Sequence, residues 1–162
     1  MLSLQESVSL HNQELGQRDA RDRAHRQAVR SFWKVYSEGK RRWLWSSLIR
    51  RENHLRDLSE TLRNTPVSAR HAAGLQIVPI AKIQGSEGRC QDFDSAFHPT
   101  HNHTEERWVS IATAEKLEVS LPPVELIQVG EIYYVRDGHH RISVAKSLGQ
   151  MVIEAQVTVW DI

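Results

Sequence analysis

Apolar residues in the first third of the chain recur at three- and four-residue intervals. Between Gln13 and Tyr36, the residues Leu15, Ala24, Ala28, Val29, Phe32, Val35 and Tyr36 keep this rhythm, which predicts an amphipathic helix with one buried stripe. Gly39 is placed to stop it. A second run through Leu44, Leu48, Leu55, Leu58 and Leu62 closes before Asn64-Thr65-Pro66, because the residue preceding a proline is steered away from helical geometry. Residues 1–65 are therefore expected to form a helical hairpin, with its apolar face covering either the rest of the chain or a second copy of it.

Beyond a breaker-rich link the period changes. Gly74 to Ile83 (GLQIVPIAKI) clusters β-branched residues as a strand does, and Pro79 assigns it to a sheet edge. A long polar loop, GSEGRCQDFDSAFHPTHNH, follows, and loops of that length in a compact domain tend to carry function. TEERWVSIATAEKL predicts a helix with Thr104 as N-cap and an acidic first turn. After Pro122-Pro123, VELIQVGEIYYVRD predicts two strands around a turn at Val129-Gly130, DGHHR a sharp turn into another helix, and MVIEAQVTVW a last strand. The expected architecture is α+β, with residues 74–162 forming a small mixed sheet with helices behind the N-terminal hairpin.

Composition narrows the class. With 40% apolar and 25% charged residues and no apolar window of about 18 residues, the chain has the make-up of a globular domain rather than a membrane span. Its N-terminus shows no secretory pattern, and a lone Cys90 fits a reducing compartment, so a cytoplasmic location is expected. Charge is unevenly spread: Arg18 to Asp57 holds 12 Lys/Arg against 5 Asp/Glu, in a chain of net charge +1. Such a basic zone, with Trp33, Trp43 and Trp45 interleaved, could track DNA. Asp19 and Asp22 lie at helix-pair spacings from the first arginines, however, and favour an ordinary solvated face. The apolar stripes favour homodimerisation, or docking on the α/β domain, over membrane contact.

Chemistry concentrates at Asp137-Gly138-His139-His140-Arg141. A helix N-terminus presents unbonded amides and a partial positive charge, Gly138 permits close backbone approach, and His139, His140 and Arg141 add donors suited to phosphate. Asp137 could hold Mg²⁺, orient a histidine or accept a proton. The plainer alternative makes Asp137 an N-cap and leaves the histidines in solvent. In the polar loop, Glu87 is the candidate general base and Arg89 a second phosphate clamp, while Asp92 and Asp94, two residues apart on an extended segment, could hold the metal of a Mg²⁺-nucleotide. The alternative there is a solvated loop anchored by Phe93 and Phe97. His98, His101 and His103, with His139 and His140, offer imidazoles for Zn²⁺ or Ni²⁺, though at no established motif spacing.

The stretch IYYVRDGHHRISVAKSLGQMVIEAQV, preceded by IVPIAKI and PPVELIQVG, resembles the ParB/sulfiredoxin superfamily over about Gln76 to Val159. The resemblance implies a small α/β domain whose G-x-x-R turn binds the phosphates of ATP or CTP with Mg²⁺, and Gly138, His140 and Arg141 match the phosphate-binding positions. Sulfiredoxins carry a reactive cysteine where this chain has His139, so sulfinic acid reduction is not implied. ParB partition proteins have Glu-Arg-Arg after the glycine, where this chain has His139, His140 and Arg141. The DGHHR turn is closer to that of the free-serine kinase branch, which implies phosphoryl transfer to a small hydroxyl compound. Two readings follow: a nucleotide-binding NTPase or phosphotransferase, and a non-catalytic DNA-associated module whose oligomerisation nucleotide regulates.

Overall fold

A computed structural model of the protein describes residues 4–48 and 53–162, with side chains from Gln13 onward. The first element is one continuous helix, α1 (Leu4–Leu48). It buries the predicted stripe: Ala24, Ala28, Phe32 and Val35 are all below one-tenth exposed. The expected hairpin is not formed, because Gly39 does not stop the helix. A Cβ at Gly39 would lie 2.8 Å from the Cβ of His98, so the glycine is there to let the helix press against the polar loop. Glycine inside a helix costs about 1 kcal/mol relative to alanine, a penalty that such a close approach can justify. Of the second leucine run, Leu44 and Leu48 continue α1 and are exposed, while Leu55 and Leu58 are buried elsewhere.

A two-residue strand, β1 (Arg56–Asp57), leads into a short helix, α2 (Leu58–Leu62), capped by the Asp57 carboxylate, which accepts from the Ser59 amide at 2.7 Å. The predicted Gly74 to Ile83 strand is two strands. β2 (Ala69–Pro79) ends at its proline, a 3₁₀ turn spans Ile80–Lys82, and β3 (Ile83–Ser86) continues. After the polar loop come α3 (Glu105–Lys116), β4 (Val124–Val129), β5 (Ile132–Asp137), α4 (His139–Ser147) and β6 (Val152–Asp161). These match the predicted helix, hairpin, helix and final strand.

The six strands form one mixed sheet in the order β1-β3-β5-β4-β6-β2. β2 pairs antiparallel to β6 at the edge, where Pro79 was expected. β4 and β5 pair antiparallel across the Gly130 turn, while β3 with β5 and β4 with β6 run parallel. Alternation along the strands sorts the core. Val124, Leu126, Val135, Ala155 and Val157 face one side with Phe93, Phe97 and Ile142; Ile127, Val129, Tyr134 and Trp160 face the other with Leu58. A separate apolar cluster of Ala28, Phe32, Val35, Trp108, Val109, Ala112 and Val144 fastens α1 to α3 and α4. The fold is α+β, as expected, with α4 springing from the carboxyl end of the central strand β5.

Candidate functional site

The chain turns from β5 into α4 at Gly138, whose φ of +103° is a left-handed conformation that side chains rarely adopt. A Cβ there would also collide with Val124. Glycine is therefore required for the turn itself. The first backbone bond of α4 runs from the Ile142 N–H to the Gly138 carbonyl at 3.0 Å, and no side chain caps the helix. The amides of His139, His140 and Arg141 have no acceptor among the described residues. Asp137 does not cap them: its Oδ2 accepts from Arg141 Nη2 at 2.6 Å. Arg141 also donates through Nη1 to the carbonyls of Pro122 and Pro123. Much of its guanidinium thus ties the helix to the segment before β4.

The two histidines are buried rather than solvated, His139 at 5% and His140 at 6% exposure. Phe93 stacks on the His139 ring and meets His140 edge-on, with centroids 5.8 and 5.1 Å away. His139 Nε2 lies 2.7 Å from Ser86 Oγ, which itself accepts from the amides of Gly88 and Arg89 at 3.2 and 2.9 Å. With its lone pairs so engaged, the Ser86 hydroxyl donates to Nε2 and leaves the His139 proton on Nδ1. His140 Nδ1 is buried without any partner among the described residues. Burial, and then the neighbouring positive charge of Arg89, pushes His139 down to about 4; burial, then Arg107 and Arg89, pushes His140 down to about 4. Both rings are neutral at pH 7.

A cleft of about 670 Å³ opens over this turn, walled by Arg89, Glu106, Arg107, Ser110, Arg136 and the Asp137 to Arg141 turn. Of the residues expected from sequence, the fold brings Arg89, Asp137, Gly138, His139, His140 and Arg141 together here. Glu87 sits at its margin, bound to Arg136 at 3.0 Å. Asp94 is elsewhere and 1% exposed. It accepts from the amides of Ala96 and His98, from His98 Nδ1 and from Arg42 Nε, so the carboxylate offered by the loop spacing for Mg²⁺ is already saturated. Asp92 is half-buried. His98 belongs to Asp94, while His101 and His103 stack on each other at 5.4 Å. Among the described residues no three His, Cys, Asp or Glu side chains converge to hold a metal. A Mg²⁺ in the cleft would rest on ligand phosphates and Asp137, a donor set that Mg²⁺ accepts. Burial, and then the Asp57 charge, pushes the Cys90 thiol up to about 11, which keeps it protonated and unreactive.

Sequence reasoning missed Ser86, Arg107 and Arg136. Ser86 carried a signal, a small polar residue at the carboxyl end of a strand between two glycines. Arg107 carried none, because only the docking of α3 brings it to the cleft: the adjacent Trp108 is fully buried and donates to Ser143 Oγ of α4 at 2.9 Å.

No protein-family model and no curated protein matches the chain. Among solved structures it is similar to sulfiredoxin from Arabidopsis thaliana, with a TM-score of 0.39 and 18% identity over 51% of this chain and 82% of that one. At that level the chemistry of the cleft rests on its own residues, which form an open helix terminus, a buried imidazole without a partner and a wall of arginines.

Proposed function

We propose that the cleft at the start of α4 binds the phosphates of a nucleotide such as ATP or CTP. The observation that carries this is His140 Nδ1, a buried polar atom with no partner, beside three unbonded helix amides. An orphaned buried nitrogen costs about 1–3 kcal/mol, so its retention beside a helix N-terminus is best explained by a ligand that completes it. Phosphate oxygens suit every donor present: the amides, the imidazole N–H groups, and the guanidinium groups of Arg89 and Arg107. Because both imidazoles are neutral at pH 7, they supply direction, while the arginines and the helix terminus supply charge.

Turnover asks more of the cleft than binding does. Both candidate bases, Glu87 and Asp137, are paired with arginines, Arg136 and Arg141. Hydrolysis or phosphoryl transfer would need one of them to leave its partner as the ligand arrives, the phosphates taking the arginine in exchange.

Calorimetric titration of ATP and CTP, with and without Mg²⁺, into the wild-type chain and an Arg107→Ala variant tests the proposal. Arg107 is preferable to Arg141, whose loss would also free Asp137 and two proline carbonyls. Saturable binding is expected, weakened about tenfold or more in the variant. No binding of either nucleotide to the wild-type chain at millimolar concentration would refute it.

A further inference from the structure

The face of α1 turned away from the domain has a pattern of its own. Arg23, Arg26, Arg30, Lys34, Ser37, Arg41, Leu44 and Leu48 follow one another at three- and four-residue steps, so they form a single stripe about 38 Å long. It lies opposite the stripe of Ala24, Ala28, Phe32 and Val35 that packs on the domain. Every member of the outer stripe is exposed. Between Arg23 and Leu48 the helix carries seven Lys/Arg and one acid, Glu38, and that acid lies near His98, with its Oε2 3.9 Å from Nε2. Arg42 alone among the seven is turned inward, to Asp94. Arg23 and Arg26 have Asp19 and Asp22 one turn before them, but from Arg30 to Leu48 the outer stripe carries cations with Glu38 as the one nearby acid, and that acid is turned toward His98.

At its C-terminal end the stripe becomes apolar. Leu44 is 59%, Trp45 69% and Leu48 81% exposed, with Trp43 beside them at 58%. Leucines that open to water, grouped with tryptophans and bordered by cations, mark a contact surface rather than a solvated one. We propose that the outer face of α1 lies against an anionic lipid surface, with the arginines on the headgroups and Leu44, Trp45 and Leu48 entering the acyl boundary. A nucleic acid would satisfy the cations equally well but would leave both leucines in water. An anionic bilayer takes the whole stripe, since surface-lying helices combine basic residues with Trp and Leu in this way. No described helix is long and apolar enough to cross a membrane, and a helix lying in the interface needs no such span.

The test is co-sedimentation of the intact chain with phosphatidylcholine vesicles, with and without phosphatidylserine, against a Leu44→Glu/Leu48→Glu variant and an Arg26→Gln/Arg30→Gln variant. All four positions are exposed, and an unchanged near-ultraviolet dichroism from buried Trp108 and Trp160 would confirm that the fold is kept. Binding is expected only to the phosphatidylserine vesicles, falling with added salt and weakened at least about tenfold by the leucine variant. Brominated lipid should quench Trp43 and Trp45, which adjoin the leucines, and spare the buried pair and Trp33, which donates to Glu105 of α3. Three results would overturn the proposal: no binding to anionic vesicles; vesicle binding that the leucine variant retains in full together with duplex DNA binding, which would make the stripe a phosphate track; or self-association lost in the leucine variant with no vesicle binding, which would make the occupant a second copy.

Discussion

Asp94 and His140 are both polar groups buried within reach of Phe93, and they are built in opposite ways. The Asp94 carboxylate has four donors, two amides, one imidazole and one guanidinium, at 2.8 to 3.2 Å. His140 Nδ1 has none among the described residues. A buried charge survives only when it is fully paired, whereas a buried neutral nitrogen can be left open at a tolerable cost. The first arrangement is how the protein holds itself together, since Asp94 joins α1 to the loop that carries Phe93. The second leaves one nitrogen open, the place that the ligand proposed above would fill. Burial alone therefore does not say what a polar group is for; the state of its hydrogen bonds narrows the question.

The sharpest way to break the comparison is Asp94→Ala. It removes the acceptor of the Ala96 amide and of the ring and amide of His98 at once, while the half-exposed Arg42 turns to water; losing the acceptor of such donors costs about 1–3 kcal/mol. Denaturant unfolding should show a loss of that size. A loss below about 1 kcal/mol would mean that the Asp94 node is not what pins α1. Burial by itself would raise the Asp94 carboxyl, but the hydrogen bonds from the His98 ring and amide outweigh it and hold the group below its usual value. Its contribution therefore persists above the ordinary carboxylate range and fades only as pH falls through the lowered folded value.

The histidine side behaves differently with pH. His139 and His140 titrate near 4 in the folded chain, against 6.5 for the free side chain. Between those values the unfolded chain binds more protons than the folded one, so acid favours unfolding. Stability should be constant above about pH 6.5 and fall steadily from there to about pH 4, by at most about 3 kcal/mol for each ring. Urea midpoints across that range measure it. A flat profile from pH 7 to 4.5 would mean that the rings are not held neutral.

The same contrast marks how far the sequence could be read. Period-two and period-3.6 patterning located α3, α4, β4, β5 and β6, because each buries a face set by its own residues. It also singled out DGHHR, because a glycine turn packed with hydrogen-bond donors announces itself locally, and the fold places that turn on the wall of the cleft. It misplaced Gly39, which has the local mark of a helix stop but serves a contact made with a loop about sixty positions further along. The ion pair of Asp94 is illegible for a related reason: Arg42 and Asp94 are 52 residues apart, and nothing in either neighbourhood names the other. Arg107 escaped notice because its position depends on how Trp108 packs.

The smallest expected effect is also the most discriminating. Replacing His140 with Phe keeps a planar ring against Phe93 and removes the orphaned nitrogen. Where a buried group lacks a partner, an apolar replacement of similar shape is neutral or favourable, so His140→Phe should raise stability by about 1 kcal/mol. It should also remove about half of the acid sensitivity described above, since one of the two depressed histidines is gone. Nucleotide affinity should fall by about tenfold if Nδ1 is a ligand contact. Greater stability with weaker binding would be the signature of a position kept open for function. If stability drops instead and the midpoint-pH profile is unchanged, His140 is held by contacts other than Phe93, and the distinction drawn from Asp94 fails at its other end.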